Sequence, residues 1–215
     1  MRRLLLFTIC AFFVLTSSAS AATVAKHDLT TLVDQSDTVV IAEVTTTDST
    51  LEDDGRVYTT IEFRVAEVLK GQAGKKFSMR QIGGRADGLA TRAPGMPEFT
   101  KGERVFLFLA NFDEHPIVTG LSQGKFQIAV GPDEETEYVV PQLHGLHLVQ
   151  PKDLPPRRTA EDADSPDAAK SPPVELKPPT INVQDHAQVF RQVHEFRTFR
   201  QQVQQVIEQQ HEATE

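Results

Sequence analysis

Cysteine is almost missing from this chain. One occurs in 215 residues, Cys10, and it lies within an amino-terminal apolar run. Tryptophan is absent, and tyrosine occurs only twice. With no thiol after residue 10, disulfides cannot brace a small core and no thiolate is on hand to ligate a metal. Stability must come from buried apolar surface, which about 120 residues of mixed strand can supply. Basic residues are also scarce beside acidic ones, 22 against 30. An acidic surface repels phosphate backbones and anionic lipid, so nucleic acid is not an expected partner. Long apolar runs are lacking beyond residue 15, which argues against a spanning segment there.

The amino terminus carries the pattern of a secretory signal. Arg2 and Arg3 precede an apolar stretch over residues 4–15, and Ala19-Ser20-Ala21 supplies small residues at the cleavage positions. The stretch stops at Thr16-Ser17-Ser18, short of the ~20 residues that a spanning helix needs. This predicts cleavage after Ala21, a periplasmic or secreted protein, and no stable membrane insertion afterwards. Losing Arg2 and Arg3 takes the formal charge from -8 to about -10.

Residues 22–150 read as strands. Asp28 is placed to cap a short helix with Leu29, Leu32 and Val33 on one face. Residues 38–46 are apolar on both faces near their start, the mark of a central strand. Asp53-Asp54-Gly55 signals a hairpin turn. Beyond it Val57, Ile61, Phe63 and Val65 alternate with Tyr58, Thr60, Glu62 and Arg64. That parity slips after Val65, predicting a β-bulge near Ala66 or Glu67. Further strands are expected at 76–82, 104–109, 116–120, 124–130 and 138–141. Between them, residues 83–99 form a long Gly- and Pro-containing loop, of a length that tends to be functional or mobile.

Composition then changes. Residues 151–180 hold eight of the thirteen prolines, with few large apolar side chains, and read as a disordered linker. Residues 181–215 read as an amphipathic helix over 183–210. Val189, Val193, Phe196, Val203 and Ile207 form its stripe, widened by Phe190, Phe199 and Val206. Such a stripe needs a partner. The helix can fold back on the strands, self-associate, or dock on another protein, and the barrel is expected to fold without it.

Few residues point to chemistry. Gly120-Leu-Ser-Gln-Gly124 matches the nucleophile-elbow pattern, but that motif requires a strand turning into a helix. Here an alternating strand pattern follows, so Ser122 reads as part of a hairpin connection. His144 and His147 lack a third ligand, and Gly145 discourages the helix that would aim them together. His186 and His194 lie eight residues apart, beyond i, i+4 pairing. Asp133-Glu-Glu-Thr-Glu137 lacks calcium-loop spacing and reads as a solvated turn. No catalytic, cofactor-binding or metal-ligating residue is assigned. The contact surfaces expected are the long loop, with Arg80, Gln81, Arg85 and Arg92, and the helix stripe, with Val193, Phe196 and Val203.

Five short pieces resemble a set of uncharacterised exported bacterial proteins over residues 28–130. They are Ser36-Asp37-x-Val39-Val40, Glu67-Val-Leu-Lys-Gly71, Arg80-Gln-Ile-Gly-Gly84, Gly102-Glu-Arg-Val-Phe-Leu-Phe-Leu109 and Gly120-Leu-Ser-Gln-Gly-Lys-Phe126. Their layout is also similar to the netrin-like OB barrel shared by tissue inhibitors of metalloproteinases. That resemblance implies a mainly β protein built on a small OB-like antiparallel barrel. Those inhibitors chelate the target zinc through an amino-terminal cysteine, which this chain lacks, so the likeness speaks for fold rather than activity. The sequence thus predicts an exported, non-enzymatic binding or assembly module without a cofactor. Its partner is a protein or a second copy, met through the carboxy-terminal helix. Regulation of a secreted protease and hydrolysis at Ser122 are the alternatives.

Overall fold

A computed structural model describes residues 22–112, 115–143, 146–150 and 193–212. The signal-like segment, the Pro-rich segment and the predicted helical residues 183–192 lie outside them, as does His144. The described protein is mainly β with a carboxy-terminal helix. Helix α1, Leu29–Asp34, starts where Asp28 accepts a hydrogen bond from the Thr31 amide, and it buries Leu32 and Val33. Strands β2 (Thr38–Leu51) and β3 (Val57–Lys70) form a long hairpin around Gly55, whose φ of 74° suits the tight turn. Ala66 is unpaired in their ladder, as the parity slip predicts, and so are Leu69 and Thr45.

Strand β4 spans Lys76–Ile82. The predicted loop over 83–99 instead contains a small hairpin, β5 (Gly84–Ala86) with β6 (Leu89–Thr91). Then come β7 (Arg104–Phe112), β8 (His115–Val118), a 3-10 turn at Leu121–Gly124, β9 (Lys125–Val130) and β10 (Glu137–Pro141). The 3-10 turn stands where a plain hairpin connection was expected. The acidic segment is the solvated tip of the β9–β10 hairpin, closed by Asp133 accepting from the Thr136 amide. A parallel pair, β1 (Ala22–Ala25) with β11 (Leu146–Val149), ties the two ends of this region together. It was not anticipated, because four-residue strands carry too little periodicity to read.

Residues His194–Glu195 form a two-residue strand, β12, and helix α2 follows at Phe196–Glu212. The main sheet runs β12-β10-β9-β7-β2-β3-β4, with β8 also paired to β7. Its ladder has two free edges, so hydrogen bonding does not close the expected barrel. Strand β8 has only four residues, and β4 comes near it without pairing.

Both faces of the central strands are covered, which explains their unbroken apolar sequence. One face buries Val40, Val44, Ile61, Phe63, Met79, Val105 and Leu107. The other buries Val39, Ile41, Phe106, Phe108, Phe126 and Ile128 against α1 and α2, through Leu32, Val33, Phe199, Val203 and Ile207. Helix α2 therefore folds back on the strands and helps complete the core, the first of the three placements open to its stripe. A 17-residue helix gains little from its own hydrogen bonds, and Phe106 and Phe126 offer rings that its stripe can bury against. Arg200 adds a bidentate pair to Glu67 on β3.

The Leu-Lys-Gly piece at the end of β3 has a local physical cause. Lys70 donates to the Val33 carbonyl at 2.6 Å, which ties the end of β3 to the last turn of α1. Gly71 has φ of 72°, and a Cβ there would overlap the Asp37 carbonyl. Gly71→Ala is expected to cost at least about 2 kcal/mol in urea unfolding, combining positive φ with a backbone clash. A change below about 0.5 kcal/mol would contradict that packing.

Candidate functional site

The inner face of the sheet changes character along β3. Toward the core it presents Ile61 and Phe63; beyond them it presents hydroxyls and amides. Thr47 and Ser49 of β2, Thr59 of β3 and Gln81 of β4 form the floor of an open cleft of about 400 Å³. Residues 83–99 make its roof.

That roof is pinned rather than loose. The Val57 amide donates to Thr91 Oγ1 at 2.8 Å, and Thr59 Oγ1 donates to the Gly83 carbonyl at 2.6 Å. Gln81 Nε2 donates to the Pro97 carbonyl at 2.7 Å, and the Ser122 amide to the Gly95 carbonyl at 2.9 Å. Gly84 lies so close to Ser49 and Thr59 that a Cβ would meet both hydroxyls. These bonds account for the Gln-Ile-Gly-Gly piece. They also leave Gln81 Oε1 buried with no hydrogen-bond partner among the described residues. An acceptor in that state costs about 1–3 kcal/mol unless a donor reaches it.

The four predicted loop residues divide between two faces. Alternation along β4 sends Arg80 away from the cleft, where it pairs with Glu52 at 2.7 Å and lies 4.0 Å above the Tyr58 ring. Gln81, Arg85 and Arg92 do line the cleft. The predicted helix stripe is not a free surface. Val203 is fully buried, Phe196 packs against the core, and Val193 precedes the helix. The structure brings none of these three to the cleft.

One constellation escaped sequence reading. The Lys125 side chain is 0% exposed and pairs with Glu103, itself 6% exposed, at 2.8 Å. Its amine also donates to the Glu98 carbonyl and to Gln142 Oε1, and lies 4.5 Å from the Phe99 ring centroid. Burial pulls the Lys125 amine below the ordinary lysine value, against the opposing effect of Glu103. The available signal was a charged residue opening each of two apolar strands, in the Gly-Glu-Arg and Gly-Lys-Phe pieces. The pair anchors the far end of the cleft roof to β7 and β9.

Ser122 is 1% exposed, sits in the 3-10 turn, and its Oγ has no hydrogen-bond partner among the described residues. A strand follows it, so the exposed hydroxyl and strand-to-helix turn of a nucleophile elbow are not formed. Its neighbour Gln123 has a structural role. It accepts from the His27 amide at 2.9 Å and donates to the Ala25 carbonyl at 3.0 Å, fastening the amino-terminal strand. Among the described residues no cluster of three or more His, Cys, Asp or Glu is placed to hold a metal, and no helix is long and apolar enough to cross a membrane.

Polar groups converge on a cleft with a hydrogen-bonded roof and an open mouth, an arrangement with room for a ligand. Compared with known protein families, curated proteins and solved structures, the chain matches none.

Proposed function

We propose that this protein is an exported, non-enzymatic binding module that receives its partner in the cleft roofed by residues 83–99. The observation that carries the reading is the cleft itself: polar groups converge under a roof pinned by at least four hydrogen bonds. Preorganisation of that kind reduces the ordering cost of binding. The near approach of β4 to β8 supports regarding the curled sheet as an OB-like barrel left open at that seam. The signal-like pattern of residues 1–21 supports export. Leu89, about half exposed at the hairpin tip, offers an apolar anchor beside the mouth.

The test is site-specific photocrosslinking in the source cell's envelope. A crosslinker at Ala90 in the cleft wall should capture a discrete partner, while one at Val130, 59% exposed on the opposite hairpin, should not. Excess unlabelled wild-type protein should compete away that product, whereas excess Ala90→Trp, its cleft filled from an exposed position, should not. Equal capture at both positions, or none at Ala90, would remove the cleft from consideration.

A further inference from the structure

The described residues include eight arginines, and five of them pair with a carboxylate: Arg56, Arg64, Arg80, Arg104 and Arg200. Of the other three, Arg197 shares a surface recess with Glu135, Glu137 and Glu195. Arg85 and Arg92 have no ion pair among the described residues, and both line the cleft. Glu98 is the acid on the lining, and its charge acts on the neighbouring Lys125 amine. On a chain with a formal charge of -8, two unpaired guanidinium groups at one opening are a local reversal of sign.

We infer that the cleft binds a peptide segment bearing a carboxylate, with Arg85 and Arg92 holding the carboxylate and Gln81 Oε1 accepting a peptide N–H. The inference rests on the binding role proposed above. Guanidinium groups match a carboxylate in planar, two-bonded geometry. The buried Gln81 acceptor asks for a donor, which every non-proline peptide unit carries. Nucleic acid fits poorly, since polyphosphate meets the overall negative charge and the cleft has no stacking platform. Phe99 packs edge-on against Phe63 at 5.3 Å and beneath Lys125, while Tyr58 is on the opposite face under Arg80.

The test uses the full mature chain, labelled with nitrogen-15, and two neutral-capped tripeptides: N-acetyl-Ala-Glu-Ala-amide and its isostere N-acetyl-Ala-Gln-Ala-amide. The glutamate peptide should shift amide signals of residues 81–92 saturably, and the glutamine peptide should bind about tenfold more weakly. In an Arg85→Gln/Arg92→Gln protein the glutamate peptide should lose about tenfold in affinity, with signals outside the cleft unmoved. Both side chains are exposed, so the double variant should keep the fold. Equal response to the two peptides, an unsaturable response, or unchanged binding in the double variant would overturn the inference. Tighter binding of glucuronate or inorganic phosphate would overturn it too, by assigning the cleft to a sugar acid or a phosphate. If crosslinking at Ala90 persists while the peptides fail, only the ligand class falls.

Discussion

Phe199→Ala is expected to lower stability by about 3–5 kcal/mol, the usual range for deleting a buried phenyl ring. Phe199 is 4% exposed and packs edge-to-face on Phe106 at 5.2 Å and at a tilt on the neighbouring Phe126 at 4.9 Å. Aromatic pairs add to simple area burial, so the loss should exceed that of a lone leucine at the same depth. The measurement is the urea midpoint at constant slope, which separates stability from a change in the unfolded ensemble. Ending the chain before α2 should go further and expose Phe106, Phe108 and Phe126 to solvent. A truncated protein with an unchanged midpoint would show that the helix is an appendage, and the two-sided core described here would be wrong.

The second large effect is expected at the buried ion pair. Glu103→Ala strands the Lys125 ammonium in a dry site and should cost about 3–5 kcal/mol, since the charge loses its compensation but not its burial. Glu103→Leu combined with Lys125→Met should recover most of that loss, because an apolar pair avoids desolvation. A double-mutant cycle on unfolding free energy reads the coupling directly. If the single and double variants are equally destabilised, the pair does not act as a unit.

Alkaline pH gives an independent check on the same site. Because burial lowers the Lys125 value below the ordinary 10.5, the folded protein releases this proton before the unfolded chain does. Between the two values the unfolded state binds more protons, so this group makes stability rise with pH across the window ending at 10.5. The stability difference between wild type and Lys125→Met should therefore move in favour of wild type as pH rises through that window. A difference that stays flat would mean the amine is not desolvated.

Much of the strand order was legible because period-two alternation survives in sequence. Val57, Ile61 and Phe63 face inward as their spacing requires, and the slip at Ala66 marks a true bulge. The helix cap at Asp28 was equally plain, since it depends on neighbours only three residues away. What escaped was everything set by distance in the chain. Glu103 and Lys125 are ordinary charges until two strands place them side by side. Arg80 and Gln81 are adjacent in sequence yet face opposite ways, so grouping them on one surface ignored the pleat. The helix stripe showed that α2 needs an apolar surface, but a stripe does not say whose. Its answer depended on Phe106 and Phe126, roughly 70 to 90 residues earlier, and on a cover that β7 and β9 lack on that face.

The contribution of α2 to the interior has a bearing on timing. A polypeptide delivered one end first, by a ribosome or through a narrow pore, presents Phe106 and Phe126 well before Phe199 arrives. Until its final described helix emerges, one face of the interior is covered only by α1, and contacts so remote in sequence form late. The strands thus stay open and pliable until α2 arrives, and lock when it does.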